Sequence, residues 1–273
     1  DNKTNQEYLW HGDSAYWGRT SPVLFPIVGN YREKESVFEG KTYSMSQHGF
    51  ARDMEFQPVL CDIDECWFSL KDTDETFKNY PFHFEVEIGH RLEGRTITVM
   101  WKVTNPDSQE LLFMMGGHPA FVVPEGRSIY DYTFEFNREG GKKGQYQDGL
   151  HYLAPNDKGY EARELQGTLK LTEGRAPLTK GFFDTVLTYM FDGFQVSSVS
   201  LLLDGKPYVT VGCEEFPYLG MWSEEATHPF VCLEPWSGRC APGGYIGELN
   251  ARPGVVGLGP RESWDKRYYI PVG

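Results

Sequence analysis

The stretch Phe82-His83-Phe84-Glu85-Val86-Glu87-Ile88-Gly89-His90-Arg91-Leu92-Glu93-Gly94-Arg95-Thr96-Ile97-Thr98-Val99-Met100-Trp101-Lys102-Val103 decides the fold class. In its first half Phe82, Phe84, Val86 and Ile88 alternate with His83, Glu85 and Glu87; in its second half Ile97, Val99, Trp101 and Val103 repeat the pattern. Successive side chains of an extended chain point to opposite faces, so a period of two marks strands with one buried face and not a helix. Leu92-Glu93-Gly94-Arg95 lies between the runs and supplies the glycine that a tight reversal needs, which makes the stretch a β-hairpin.

The same device recurs on either side. Val37-Phe38-Glu39-Gly40-Lys41-Thr42-Tyr43 has the same rhythm, and Leu203-Asp204-Gly205-Lys206 joins a strand ending near Leu203 to Tyr208-Val209-Thr210-Val211. Helix signals are few: Asp72 to Asn79, with Asp72 or Thr73 as cap and Pro81 as stop, is the best. Strands do not alternate with long helices, so the expected fold is all-β, a large antiparallel β-sandwich with few short helices. Asn137 to Arg163, with Gly140-Gly141-Lys142-Lys143-Gly144 inside it, reads as an exposed loop.

The 273 residues carry 30 Gly and 17 Pro spread throughout, without a linker or repeat, and residues 1–273 are expected to form one domain. A formal charge of −13 repels phosphate backbones and anionic lipid, which argues against a nucleic-acid or membrane-surface partner. The longest apolar run, Val196 to Leu203, is interrupted by serines and falls far short of the roughly 20 residues that cross a bilayer. Five cysteines, Cys61, Cys66, Cys213, Cys232 and Cys240, include no C-x-x-C pair and read as reduced thiols with no structural metal. Asp1 to Glu7 shows no signal-peptide pattern, so the expected location is cytoplasmic.

No nucleotide-binding, hydrolase-elbow or zinc-protease motif is present, so the chemistry rests on scattered residues. In Gln47-His48-Gly49-Phe50-Ala51-Arg52, His48 and Arg52 could bond sugar hydroxyls; the plainer alternative is a histidine tied to the backbone and an arginine paired with Asp53 or Glu55. In Met114-Met115-Gly116-Gly117-His118-Pro119-Ala120-Phe121, the two glycines leave room beside His118 for a ligand. His118 is either a general acid or a core histidine at a strand bend. In Phe230-Val231-Cys232-Leu233-Glu234-Pro235-Trp236, a lone carboxylate closing an apolar strand is costly to desolvate, so it is partnered or kept for a raised pKa. Trp236 offers a face for the C–H surface of a sugar, or packs as ordinary core. Asp184, between Phe183 and Thr185, could accept from a hydroxyl or cap a turn, and Arg19 in Tyr16-Trp17-Gly18-Arg19 is a weaker candidate still.

Taken together, Ser21-Pro22-Val23-Leu24-Phe25-Pro26-Ile27-Val28-Gly29, His48-Gly49-Phe50-Ala51-Arg52, Gly117-His118-Pro119-Ala120-Phe121 and Glu234-Pro235-Trp236 resemble the motifs of the aldose 1-epimerase (galactose mutarotase) family, in its order and over nearly the whole chain. The bacterial mutarotase-like proteins associated with lactose operons are the branch it resembles most. The resemblance implies a β-supersandwich that interconverts the anomers of a free hexose, with no cofactor. Glu234 would take the proton from the C1 hydroxyl and His118 would protonate the ring oxygen, acting from opposite sides of the hemiacetal. His48 would bind the sugar, and Arg52, Asp184, Trp236 and Arg19 would contact it. Gly117-His118-Pro119 stands where better-known mutarotases carry Asn-His, which bears on substrate choice. The family's leading strands are expected to be missing, which would leave a sheet edge open to a second copy and a homodimer.

Three other readings compete. A sister branch resembling His48-Gly49-Phe50-Ala51-Arg52 acts on hexose 6-phosphates through arginines. A carbohydrate-binding or sensing protein would keep the pocket without turnover. A glycoside hydrolase would need two carboxylates at roughly 5 to 9.5 Å, for which Asp184 with Glu234 is the candidate pair.

Overall fold

The alternation in residues 82–103 becomes two nine-residue strands, Glu85–Glu93 and Thr96–Thr104, paired in register from Glu85↔Thr104 to Glu93↔Thr96. Phe84, Val86, Val99, Trp101 and Val103 enter the core from one face, while Glu85 and Glu87 on the other pair with Lys71 and Lys102. Each such apolar side chain gains about 1.5–3 kcal/mol on burial, which is why the pleat sets the register. The computed structural model describes residues 1–137, 149–156, 161–224, 229–245 and 247–273, with backbone only at 161–164.

This hairpin sits inside a nine-stranded antiparallel sheet. Its order is Arg175–Pro177, Tyr132–Asn137, Ser198–Leu203, Lys206–Gly212, Ser263–Pro271, Thr96–Thr104, Glu85–Glu93, Glu65–Lys71 and Gln57–Cys61. The second sheet has eight strands. Val23–Leu24, Gly116–Gly117, Phe230–Trp236, Tyr218–Trp222, Thr188–Phe191, Leu150–Pro155 and Glu161–Leu169 follow in order, and Ala120–Val122 also pairs with Phe230–Trp236. One apolar cluster joins Val86, Val103, Phe134, Val209 and Ile270 of the first sheet to Phe121, Leu219, Val231 and Leu233 of the second, so the expected sandwich is formed.

The expected reversals are found. Glu39-Gly40 and Asp204-Gly205 have positive φ at both positions, 50° and 71°, then 52° and 75°, the conformation of the two-residue turn whose twist suits a hairpin. The helix spans Asp74–Asn79 with Thr73 as its cap, its hydroxyl oxygen accepting from the Thr76 N–H. Asp72 lies before it and accepts from the Phe84 N–H at 3.0 Å.

The expected loop at 137–163 is corrected in part. Leu150–Pro155 pairs with Glu161–Leu169 from Leu150↔Leu169 to Pro155↔Glu161, and Leu150, Leu153 and Ala154 are buried. Polar composition hid these strands because their apolar faces are completed by tertiary neighbours; the glycine- and lysine-rich run at 140–144 lies outside the described residues. Near the start of the chain, Leu9 bridges Phe121, the Trp10 N–H donates to Ala120 and the Val122 N–H donates to Tyr8. Residues 8–10 thus lie along the outer edge of Ala120–Val122.

Candidate active site

The Phe230–Trp236 strand is buried at every residue, and its two faces do different work. Val231 and Leu233 point between the sheets, whereas Cys232, Glu234 and Trp236 share the opposite face by the period of two. That face floors a cavity of about 300 Å³ whose walls include Trp17, Gly29, His48, Arg52, His118 and Trp222.

His118 reaches this face through an interruption in the sheet. Gly116 pairs with Trp236 and Ala120 with Cys232, so both short segments run along the same strand, with His118-Pro119 between them. Pro119 has no N–H to give to a ladder, and the Leu233 N–H donates to its carbonyl at 3.2 Å. The His118 ring lands with Nε2 3.2 Å from Glu234 Oε2. Trp17 lies tilted against it at 4.9 Å between centroids, and Trp222 and His48 meet it edge-on at 5.8 Å each.

Burial sets the electrostatics of this pair. Glu234 is 1% exposed, and desolvation pushes its carboxyl well above the usual range; Trp236 acts weakly the other way, its indole N–H lying outside good hydrogen-bonding geometry. His118 is pulled well below its ordinary value, first by desolvation and then by the Arg52 charge, against a backbone hydrogen bond that favours the cation. Burial therefore favours a neutral acid facing a neutral imidazole at 3.2 Å, in contact but outside good hydrogen-bonding geometry.

His48 is held by the backbone. Its own N–H donates to the Gly29 carbonyl at 2.9 Å, and the Gly29 N–H donates to its Nδ1 at 3.1 Å. An accepting Nδ1 puts the ring proton on Nε2, which leaves a donor for the cavity. Desolvation, with smaller repulsion from His118, Arg52 and Arg19, keeps this histidine neutral. Its loop turns through positive φ at His48 (63°) and Gly49 (75°), and a side chain at Gly49 would strike the Phe25 carbonyl at 2.1 Å. That carbonyl accepts from the Phe50 and Ala51 N–H groups, so Ser21–Gly29 docks the His48 loop.

The indole of Trp236 lies across two glycines. A Cβ at Gly116 would come within 2.5 Å of Trp236 Cδ1, and one at Gly220 within 2.3 Å of its ring. Arg52 lines the cavity, donates to the Gln47 carbonyl at 2.6 Å and lies 3.9 Å from Asp53, so the plainer alternative is found together with the functional placement. Arg19 pairs with the same Asp53 at 2.7 Å but is not part of the cavity wall. Asp184 is placed elsewhere: it is exposed in the Gly181–Thr185 turn, its N–H on the Gly181 carbonyl, and is not in the wall. Turn geometry won over the apolar neighbourhood that suggested a buried acceptor.

The sequence reading also expected acid and base on opposite sides of the substrate. The structure sets them side by side, because the His118-Pro119 interruption and Glu234 belong to the same sheet. Trp17 and Trp222 carry no local signal of function, because an aromatic in a turn or a strand is ordinary packing until tertiary contacts bring it to His118. His118, Cys232 and Glu234 form a group with potential ligand atoms within 4.8 Å of one another among the described residues, the set that would serve a metal if one were needed.

A protein-family model described as aldose 1-epimerase matches residues 1–146. The chain is similar to the chromosomal protein LacX of Lactococcus lactis subsp. lactis, 29% identical over 286 residues that span 99% of this chain and 91% of that protein. Among solved structures it resembles a galactose mutarotase related enzyme from Lactobacillus acidophilus, with a TM-score of 0.88 and 28% identity over 99% of this chain and 88% of that one. It also resembles a galactose mutarotase-like protein from Lactobacillus casei, with a TM-score of 0.89 and 26% identity over 100% and 92%. The fold, the full-length relatives and the match over more than half of its residues lead to one conclusion: the chain belongs to the aldose 1-epimerase family.

Proposed function

We propose that the protein is an aldose 1-epimerase that interconverts the α and β anomers of a free hexose. The observation that carries this reading is the 3.2 Å contact of His118 with the buried Glu234 on the floor of a cavity walled by tryptophans. The hydroxyl oxygen and the ring oxygen of a pyranose are both bonded to C1, so an acid and a base for them belong side by side. Glu234 takes the O1 proton as His118 gives one to O5; the C1–O5 bond breaks, the C1–O1 double bond forms, and the open aldehyde rotates about C1–C2. Closure on the other face reverses the transfers.

One shared proton suffices for this cycle. Ring opening moves the pair from carboxylate with imidazolium to carboxylic acid with imidazole, the form that burial favours, and direct contact lets the proton return without solvent. His48 Nε2–H and Arg52 hold hydroxyls, and the Trp236 face packs on the ring.

A phosphorylated hexose is the second reading, favoured by two guanidiniums, Arg19 and Arg52, sharing the single carboxylate of Asp53 beside the cavity. Asp184 and Glu234 do not form a hydrolase pair in this cavity. Freshly dissolved α-glucose, α-galactose and α-glucose 6-phosphate, followed by their anomeric proton signals in NMR, test the proposal. Catalysed exchange of a free sugar supports it, faster exchange of the phosphate ester selects the second reading, and saturable binding without acceleration identifies a binding protein.

A further inference from the structure

Behind the wall of the sugar cavity lies a second cavity of about 290 Å³, lined by Tyr31, Ser36, Thr42, Ala241, Tyr245 and Arg252 among others. The two are back to back along two short segments: Gly29 and Cys240 face the first, Tyr31 and Ala241 the second. Arg252 follows the short turn Leu249–Ala251 and is 4% exposed, with its guanidinium over the Tyr31 ring at 4.2 Å. A buried guanidinium is ordinarily answered by a carboxylate, because an uncompensated charge is costly to desolvate. Here no carboxylate among the described residues pairs with it. Among the described residues its Nε and Nη1 have no hydrogen-bond partner, and Nη2 has two long contacts, the Asn30 carbonyl at 3.4 Å and the Arg239 carbonyl at 3.5 Å.

The acids nearby form no ion pair with it among the described residues, and Glu33 and Glu35, which line the cavity, are exposed. Glu248 accepts from the Glu39 and Gly40 N–H groups at 3.1 and 3.2 Å, and Glu33 lies 3.7 Å from Arg32. Ser36 Oγ, on the same cavity, is also buried without a hydrogen bond of good geometry. Two buried donors on one cavity, met among the described residues only by two long carbonyl contacts and the Tyr31 hydroxyl, describe a site whose missing part is an acceptor carrying negative charge.

We propose that this cavity binds a compact phosphate-type oxyanion, gripped by the Arg252 guanidinium and seconded by the Ser36 hydroxyl. The planar fork of arginine matches two oxygens of a tetrahedral oxyanion, and stacking on Tyr31 fixes its plane. Arg252 also touches the carbonyls of Asn30 and Arg239, next in sequence to Gly29 and Cys240 of the sugar cavity wall, so occupancy is felt at that wall. The site is separate from Arg52 and does not depend on the sugar reading.

Isothermal titration with inorganic phosphate at constant ionic strength, on wild type, Arg252→Met, Ser36→Ala and Arg52→Gln, tests it. The expected result is saturable one-to-one binding, weakened at least tenfold in Arg252→Met and at least threefold in Ser36→Ala, and kept in Arg52→Gln. Absence of binding to wild type, unchanged affinity in Ser36→Ala, or loss confined to Arg52→Gln would overturn it. Ser36→Ala decides the matter if Arg252→Met does not fold. Glucose 6-phosphate distinguishes the source of the oxyanion: Arg252-dependent binding equal to that of phosphate points to the free ion, and binding tenfold tighter points to a phosphorylated sugar.

Discussion

Replacing Glu234 by Gln removes the proposed base while keeping side-chain shape, and the structure sets the size of the effect. General acid–base catalysis is worth about 10²- to 10⁴-fold, or roughly 3–5 kcal/mol of barrier. Because Glu234 is 1% exposed, bulk water has no ready path to stand in as base, so the loss belongs near the upper end, about 10³- to 10⁴-fold in kcat. His48, Arg52 and Trp236 remain, so KM should change by less than about threefold. Stability supplies an independent readout. Burial holds the folded-state carboxyl above its unfolded value of 4.5, so the folded protein keeps a proton that the unfolded chain releases as pH rises. The stability tied to Glu234 is therefore full below pH 4.5 and declines as pH climbs toward the folded value, whereas the amide has no such decline. Thermal melts of both proteins at about pH 5 and about pH 8 should show the Gln variant gaining on wild type at the higher pH. NMR exchange rates retaining more than about a tenth of wild-type kcat would refute the role of base. Wild type gaining on the Gln variant as pH rises would show that the pair is ionised and not neutral.

Further outcomes follow from the same geometry. The pH profile of kcat/KM should be flat through the ordinary histidine range, because burial pushes the second protonation of the pair down and its deprotonation up; an acid limb near 6.5 would contradict this. Gly116→Ala should cost about 1–3 kcal/mol in denaturant unfolding and lower activity, since its methyl would collide with the Trp236 ring; an unchanged midpoint would show that the indole can move aside. His48→Phe should raise KM about tenfold with a smaller change in kcat, through loss of one half-buried donor, and equal loss in both would make His48 part of the proton transfer. Asp184→Ala should leave KM and kcat within about twofold, and a larger loss would return this residue to the site.

Local pattern was legible wherever short-range sterics or periodicity set the structure. The hairpin at 85–104, the positive-φ turns at Glu39-Gly40 and Asp204-Gly205, and the capped helix at 74–79 depend on residues a few positions apart. Leu150–Pro155 and Glu161–Leu169 were not legible, because the buried Leu150 and Ala154 and the half-buried Leu165 and Leu169 pack against residues distant in sequence. Of the site residues, His118, Glu234, His48, Arg52 and Trp236 stood out as polar or aromatic groups in segments too apolar or turn-rich for a solvated face, and all five meet at one cavity. Asp184 had the same local look and stands outside it. Cys61 and Cys66, set aside because their spacing matched no motif, are free thiols directly opposed across a hairpin, a proximity that only strand register reveals.

The sequence by itself determined that strands form, where they reverse, and which side chains cannot be ordinary surface, because backbone sterics and the pleat act over a few residues. Only the tertiary structure decided that His118 and Glu234 touch from one side, that Trp17 and Trp222 pack on the His118 ring, and that Arg252 is buried without a carboxylate partner among the described residues. Those facts depend on which segments become neighbours. Desolvation, which sets the proton state of the pair and the cost of the unpaired guanidinium, exists only once the sheets and loops have closed around them.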